Sequence, residues 1–114
     1  MFKLSQSQTY YWPVTVESPT SGGKTQKETF DAEFKRIPHS RIKELITSYG
    51  KDESEFSAVD LCKEVLVGWR GVEDNGEELP FSEGARDRLL DVALVAGAIV
   101  KAFMGSLTGA KTKN

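Results

Sequence analysis

The N-terminal third of the chain alternates between apolar and polar residues with a period of two, which is typical of half-buried β-strands. Ser18–Gly23 separates two such segments and has turn chemistry, because its glycines readily adopt positive φ. The pattern predicts an antiparallel hairpin that rests on helices. Because proline has no N–H for a ladder, the strand of Pro13 is expected at an edge of the sheet or with the backbone position of Pro13 pointing outward. The residues expected on the apolar face are Trp12, Val14, Val16, Phe30, Ala32 and Phe34.

Two helices are expected after the hairpin. The first begins near Pro38 or Ser40 and ends at Gly50, and the second covers about residues 55–67 after a charged connector at 51–55. The apolar faces of the two helices comprise Ile42, Leu45, Ile46 and Tyr49 in the first, and Phe56, Val59, Cys62 and Leu66 in the second.

A second, shorter hairpin is predicted at Asn75–Gly76, because Asn-Gly is the strongest short hairpin signal. The segments 69–72 and 78–80 are expected to pair across it. A third helix then opens at Phe81 or Ser82 and ends near Asp91.

The fourth helix is expected at residues 92–104, with Asp91 as its N-cap. It is apolar nearly all round, which indicates deep burial or a covered second face. One stripe of this helix contains Val92, Val95, Ala96, Ile99 and Phe103. We hypothesise that Val92, Val95, Ile99 and Phe103 form a partner-binding face, and the alternative left open is a central core helix.

These elements predict an α+β fold, in which an N-terminal antiparallel β-hairpin packs on about four α-helices, with a second short hairpin around the Trp69 turn. The domain is expected at residues 10–104, between a flexible N-terminus at 1–9 and a flexible tail at 105–114. The rival prediction is a mostly helical protein in which residues 69–80 form a long loop.

Length, charge and cysteine content narrow the function classes. A chain of 114 residues is one domain by length, and its net charge of -2 supplies no field for binding nucleic acid. The single cysteine excludes an internal disulfide and favours a reducing compartment. The N-terminus lacks the apolar core of a signal peptide, and the longest apolar run is too short for a bilayer, so we expect a soluble cytoplasmic protein.

No residue cluster indicates catalysis, a metal or a cofactor. His39 is the sole histidine, and Cys62 lies on the expected buried face of a helix, where a thiol behaves as a small hydrophobe. Residues 74–78 lack the alternating oxygen ligands of a calcium loop. Ser21–Thr25 faintly resembles a phosphate loop but joins two strands, so that interpretation is rejected. The aromatic residues Trp12, Phe30, Phe34 and Trp69 are interpreted as core.

The chain nevertheless resembles the tail assembly chaperones of long-tailed bacteriophages and prophages, over roughly residues 30–114. The tryptophan segment followed by Leu-Pro-Phe-Ser and the lysine–asparagine end are its most specific parts. The matching segments, in order, are Phe34–Pro38, Val67–Val72, Gly76–Ser82, Leu89–Asp91 and Ala110–Asn114.

The resemblance implies a protein that is not an enzyme. Such chaperones bind the tape measure protein, keep its apolar helices soluble and help to recruit tail tube subunits. They act in the host bacterial cytoplasm as monomers or weak homo-oligomers, and are usually absent from the mature particle. The alternative is a permanent structural subunit of the tail or the head–tail joint, which would form a ring and stay in the particle.

The family is also commonly made in two lengths, through a programmed ribosomal frameshift near the end of the shorter reading frame. Thr112–Asn114 can be encoded as ACA-AAA-AAC, which contains the slippery sequence A-AAA-AAC. We therefore hypothesise a frameshift site there, and a coding strand without such a heptamer would remove the hypothesis.

Overall fold

The computed structural model describes residues 2–49 and 58–108. This part of the chain forms a three-stranded antiparallel sheet, a two-stranded ribbon and four helices. The α+β fold class is thereby confirmed, and the mostly helical alternative is wrong. In chain order the elements are β1 (Thr9–Thr20), β2 (Lys24–Lys35), α1 (His39–Tyr49), α2 (Ala58–Val65), β3 (Leu66–Arg70), β4 (Glu73–Asp74), β5 (Glu77–Glu78), α3 (Glu83–Leu90) and α4 (Val95–Thr108).

The N-terminal hairpin forms as the alternating pattern predicts. β1 pairs with β2 from Thr9 opposite Lys35 to Thr20 opposite Lys24, and the connecting turn contains Gly22 and Gly23, both with positive φ. The strand order is β1-β2-β3, so β1 is an edge strand and accommodates its proline as expected. On the predicted apolar face the residues that are less than a tenth exposed are Val14, Val16, Phe30, Ala32 and Phe34.

β3 is the main departure from the sequence prediction. The second helix ends at Val65, and Leu66 begins a strand instead of ending that helix. Trp69 pairs with Ala32 of β2, whereas the sequence predicted pairing with residues 78–80. The prediction failed because a short apolar run has no periodicity that separates a helix end from a buried strand. Gly68 helps the strand to pair closely, since a Cβ atom there would meet the Glu33 carboxylate.

The predicted Asn-Gly turn is confirmed. Asn75 and Gly76 both have positive φ, at 54° and 81°, as a type I′ turn requires, and β4 pairs with β5 across them. The ribbon continues by one further bond, from the Leu79 N–H to the Val72 carbonyl at 2.8 Å. Trp69 holds this ribbon through its side chain, since its Nε1 donates to the Leu79 carbonyl at 2.7 Å.

α3 begins where the sequence indicated, because the Ser82 hydroxyl accepts the Ala85 N–H at 3.0 Å and caps the helix. Asp91 lies at the C-terminal cap of α3 with φ of -80°, so the prediction that it caps the fourth helix is wrong. α4 begins at Val95, after a short connection from residue 91 to residue 94.

α4 continues to Thr108, so residues 105–108, which were predicted to belong to a flexible tail, are helical. The predictions for residues 109–114, for Gly50, for the connector at 51–55 and for Phe56 lie outside the described residues, as does the side chain of Tyr49. Within α1, Leu45 is buried as expected, whereas Ile46 is 45% exposed.

One core joins these elements, with α4 packed against both β1 and α2. Its largest fully buried side chains include Phe34, Leu61, Ile99 and Phe103. Within the described residues, 2–49 and 58–108, no single helix is both long and apolar enough to cross a bilayer. α3 and α4 satisfy that test only when taken together, and the chain bends by 104° between them.

Candidate partner-binding groove

Three of the four residues predicted to bind a partner belong to the core. Val95, Ile99 and Phe103 are 4%, 0% and 2% exposed, and only Val92, at 53%, is accessible. A buried side chain cannot contact a partner unless the helix leaves the core. The structure therefore places Val95, Ile99 and Phe103 on the inner side of α4, whereas Val92 lies in the connection before that helix.

The chemically reactive side chains lie apart from one another. His39 is exposed at the first residue of α1, whereas Cys62 is fully buried and its thiol donates to the Ala96 carbonyl at 3.5 Å. Burial raises the pKa of the Cys62 thiol from 9.0 to about 12, so it is neutral and unreactive near pH 7. In the two described stretches, no three His, Cys, Asp or Glu side chains come close enough together to hold a metal ion.

An open groove of about 600 Å³ lies at the C-terminal end of α4, and we call it the C-terminal groove. It is bounded by the start of β1, the end of β2, the first turn of α1 and the last turns of α4. Its lining residues are Gln6, Tyr10, Trp12, Lys35, Arg36, Ile37, Pro38, Ile42, Phe103, Ser106 and Leu107.

Local structure explains why apolar side chains reach this groove. Tyr10 and Trp12 share the face of β1 that carries Val14, but they lie toward its N-terminal end and are only half-buried. Leu107 follows Phe103 by four residues, so both project from the same side of α4. Phe103 is buried and forms the floor, while Leu107 is 41% exposed at the mouth.

Hydrogen bonds and ring contacts fix the wall between β1 and α4. The Ser106 hydroxyl donates to the Phe103 carbonyl at 2.6 Å, so the Tyr10 hydroxyl, 2.7 Å from the Ser106 Oγ, is the donor of the second bond. The Tyr10 ring meets Phe34 edge-on at 5.9 Å, and Phe34 meets Phe103 edge-on at 5.3 Å. A continuous aromatic row therefore joins the groove to the core and holds its wall in one position.

The polar groups at the groove are chiefly donors. The Arg36 guanidinium lies 4.8 Å from the centre of the Tyr10 ring. The backbone N–H of Arg36 donates to the Gln8 carbonyl at 2.8 Å. Trp12 Nε1 is buried and has no acceptor among the described residues. An unpaired buried N–H costs about 1–3 kcal/mol, so this donor lowers the stability of the fold relative to a paired one.

Sequence reasoning missed most of this surface. It interpreted Trp12 as core, and it assigned no binding role to Tyr10, Ile37, Ile42 or Leu107. The available signal was Ile37, which directly precedes Pro38 at a predicted helix start. A residue before proline has an extended backbone, so Ile37 cannot belong to the buried face of the helix that follows.

Comparison of the chain with protein-family profiles, curated proteins and solved structures found no match.

Proposed function

We propose that this chain is a tail assembly chaperone of a long-tailed bacteriophage or prophage, which binds the tape measure protein and helps to recruit tail tube subunits. It acts in the host cytoplasm, as a monomer or weak homo-oligomer, and leaves before the particle is complete. In this role the protein needs no nucleic acid, membrane, metal or cofactor.

The observation that carries the proposal links the resemblance to the groove. The segment Phe34–Pro38 is the first matching segment, and four of its five residues line the C-terminal groove. The fifth, Phe34, is fully buried and contacts both Tyr10 and Phe103. One of the five matching segments thus forms part of the groove, together with residues of β1, α1 and α4 that lie outside those segments.

An apolar recess suits the task of a tape measure chaperone. Long helical proteins with exposed apolar stripes aggregate unless the stripes are covered. A groove covers such a stripe by taking side chains at positions i, i+3 and i+4 of one helix face. The C-terminal groove is open along one side and is walled by Trp12, Ile42 and Leu107, so a helix can lie across it without entering the core.

Two exposed leucines at opposite ends of α4 provide the test. Leu107 lies in the groove and is 41% exposed, whereas Leu94 is 56% exposed and lies outside it. The tape measure protein encoded beside this chain is co-expressed with the unmodified chain, with Leu107→Asp or with Leu94→Asp, and the soluble, co-purifying fraction is measured. We expect Leu107→Asp to lose the tape measure protein and Leu94→Asp to retain it.

Thermal unfolding of both variants shows whether the fold is kept, as expected for exposed positions. Retention by Leu107→Asp together with loss by Leu94→Asp would assign binding to the opposite end of α4.

Mass spectrometry of purified infectious particles tests the transient role. A stoichiometric amount of this chain in those particles would indicate a permanent tail or head–tail joining subunit instead.

A further inference from the structure

The C-terminal groove differs in charge from the rest of the chain. The whole chain has 17 acidic and 15 basic residues, but the residues that line the groove include two cations, Lys35 and Arg36, and no carboxylate. Both cations are exposed. An acidic protein thus presents a locally positive rim around an apolar recess.

The positive charge of Arg36 is held in place. Its guanidinium rests on the Tyr10 ring at 4.8 Å, and its Nε lies 3.5 Å from the Ser7 hydroxyl, to which it donates. A cation on an aromatic face keeps its charge while losing freedom of movement, so less entropy is lost when it meets a partner.

A carboxylate that lies within the influence of Lys35 is already paired with another cation. Glu64 accepts two hydrogen bonds from Arg41, at 2.9 Å and 3.1 Å. The Arg41 hydrogen bond is the main cause that lowers the pKa of the Glu64 carboxyl, and the charge of Lys35 is a smaller one. Because Arg41 pairs with this carboxylate, Glu64 offsets the positive charge of Lys35 only in part.

We infer that the C-terminal groove selects a helix whose apolar stripe is flanked by Asp or Glu side chains. This inference rests on the proposed function and names the chemistry of the tape measure segment that is bound. Carboxylates at the flanks face Lys35 and Arg36, and opposite charges at the rim of an interface set its specificity and association rate. Two cations are too few for affinity to nucleic acid.

The test uses the unmodified chain and three fluorescein-labelled helical peptides that share one apolar stripe and differ only in their flanks, which are Glu, Gln or Lys. Binding is followed by fluorescence anisotropy. We expect the Glu peptide to bind about tenfold more tightly than the Lys peptide at low salt, because two exposed ion pairs contribute a binding free energy of that order. The preference should shrink at about 1 M salt, where the Debye length falls to about 3 Å.

A charge-reversed variant and its control identify the origin of the preference. Lys35→Glu should reduce or reverse the preference for the Glu peptide. Lys24→Glu makes the same change of net charge at the other end of β2, away from the groove, and should leave the preference unaltered. Equal loss in both variants would trace the effect to net charge and overturn the inference.

The remaining outcomes separate the inference from the proposed function. Equal affinity of all three peptides for the unmodified chain would overturn the charge selection while supporting the groove as a helix-binding site. Absence of binding by every peptide would overturn both.

Discussion

Both ends of α4 carry exposed apolar side chains, but the two ends are built differently. At the N-terminal end, Val92 and Leu94 are more than half exposed, and Leu94 has a φ of +75°, which is unfavourable for a bulky side chain. At the C-terminal end, Ser106 is bonded to Tyr10 and Leu107 lines the groove. The apolar residues in and next to α4 therefore occupy three different environments: a strained connection, the core and the groove.

The middle of α4 separates these ends, and charging it should have the largest effect. Phe103 is 2% exposed and packs edge-on against Phe34. Truncating such a side chain costs about 3–5 kcal/mol, and a buried carboxylate adds a desolvation cost. We expect Phe103→Asp to be largely unfolded, as measured by circular dichroism and urea denaturation.

Phe103→Leu is the matched control, since it keeps an apolar side chain at the same position and should remain folded with reduced stability. A cooperative, nearly unaltered unfolding transition for Phe103→Asp would show that the middle of α4 is accessible. That outcome would restore the stripe of Val92, Val95, Ile99 and Phe103 as a partner-binding face.

A pH-dependent loss of stability should come from Cys62, which joins α2 to the first turn of α4. Below pH 9.0 the thiol is protonated in both states, so its contribution is fully present. Between pH 9.0 and about 12 the unfolded chain releases the proton while the folded chain keeps it. The free energy of unfolding should then fall by about 1.4 kcal/mol per pH unit from this group.

The comparison with Cys62→Ala isolates that contribution, because the two proteins differ only in this side chain. Urea midpoints are measured from below pH 9.0 to about pH 10.5. The unmodified chain should lose stability faster with pH than the variant. Parallel curves would mean that the thiol is solvated in the folded state and that the contact with Ala96 is absent.

Local rules in the sequence predicted the N-terminal hairpin, the Asn-Gly turn and the starts of α1 and α3. Period-two alternation placed Val14 and Phe34 in the core, and Asn75–Gly76 and Ser82 marked a turn and a cap, because each of these depends on neighbouring residues alone. The pairing of Trp69 with β2 and the groove depend on residues far apart in sequence. Periodicity could show that α4 is apolar all round, but not which of its sides the sheet would cover.

The strained N-terminal end of α4 offers the smallest effect. A non-glycine residue with positive φ costs roughly 1–2 kcal/mol, and glycine removes that cost while adding entropy to the unfolded chain. Since Leu94 is 56% exposed, little burial is lost on replacing it. We expect Leu94→Gly to raise the free energy of unfolding by up to about 1 kcal/mol, measured by urea denaturation. Val92→Gly is the control, because residue 92 is equally exposed without positive φ and its replacement should destabilise slightly. Destabilisation by Leu94→Gly would mean that Leu94 makes contacts that offset its backbone strain, and the two ends of α4 would then be equally well packed.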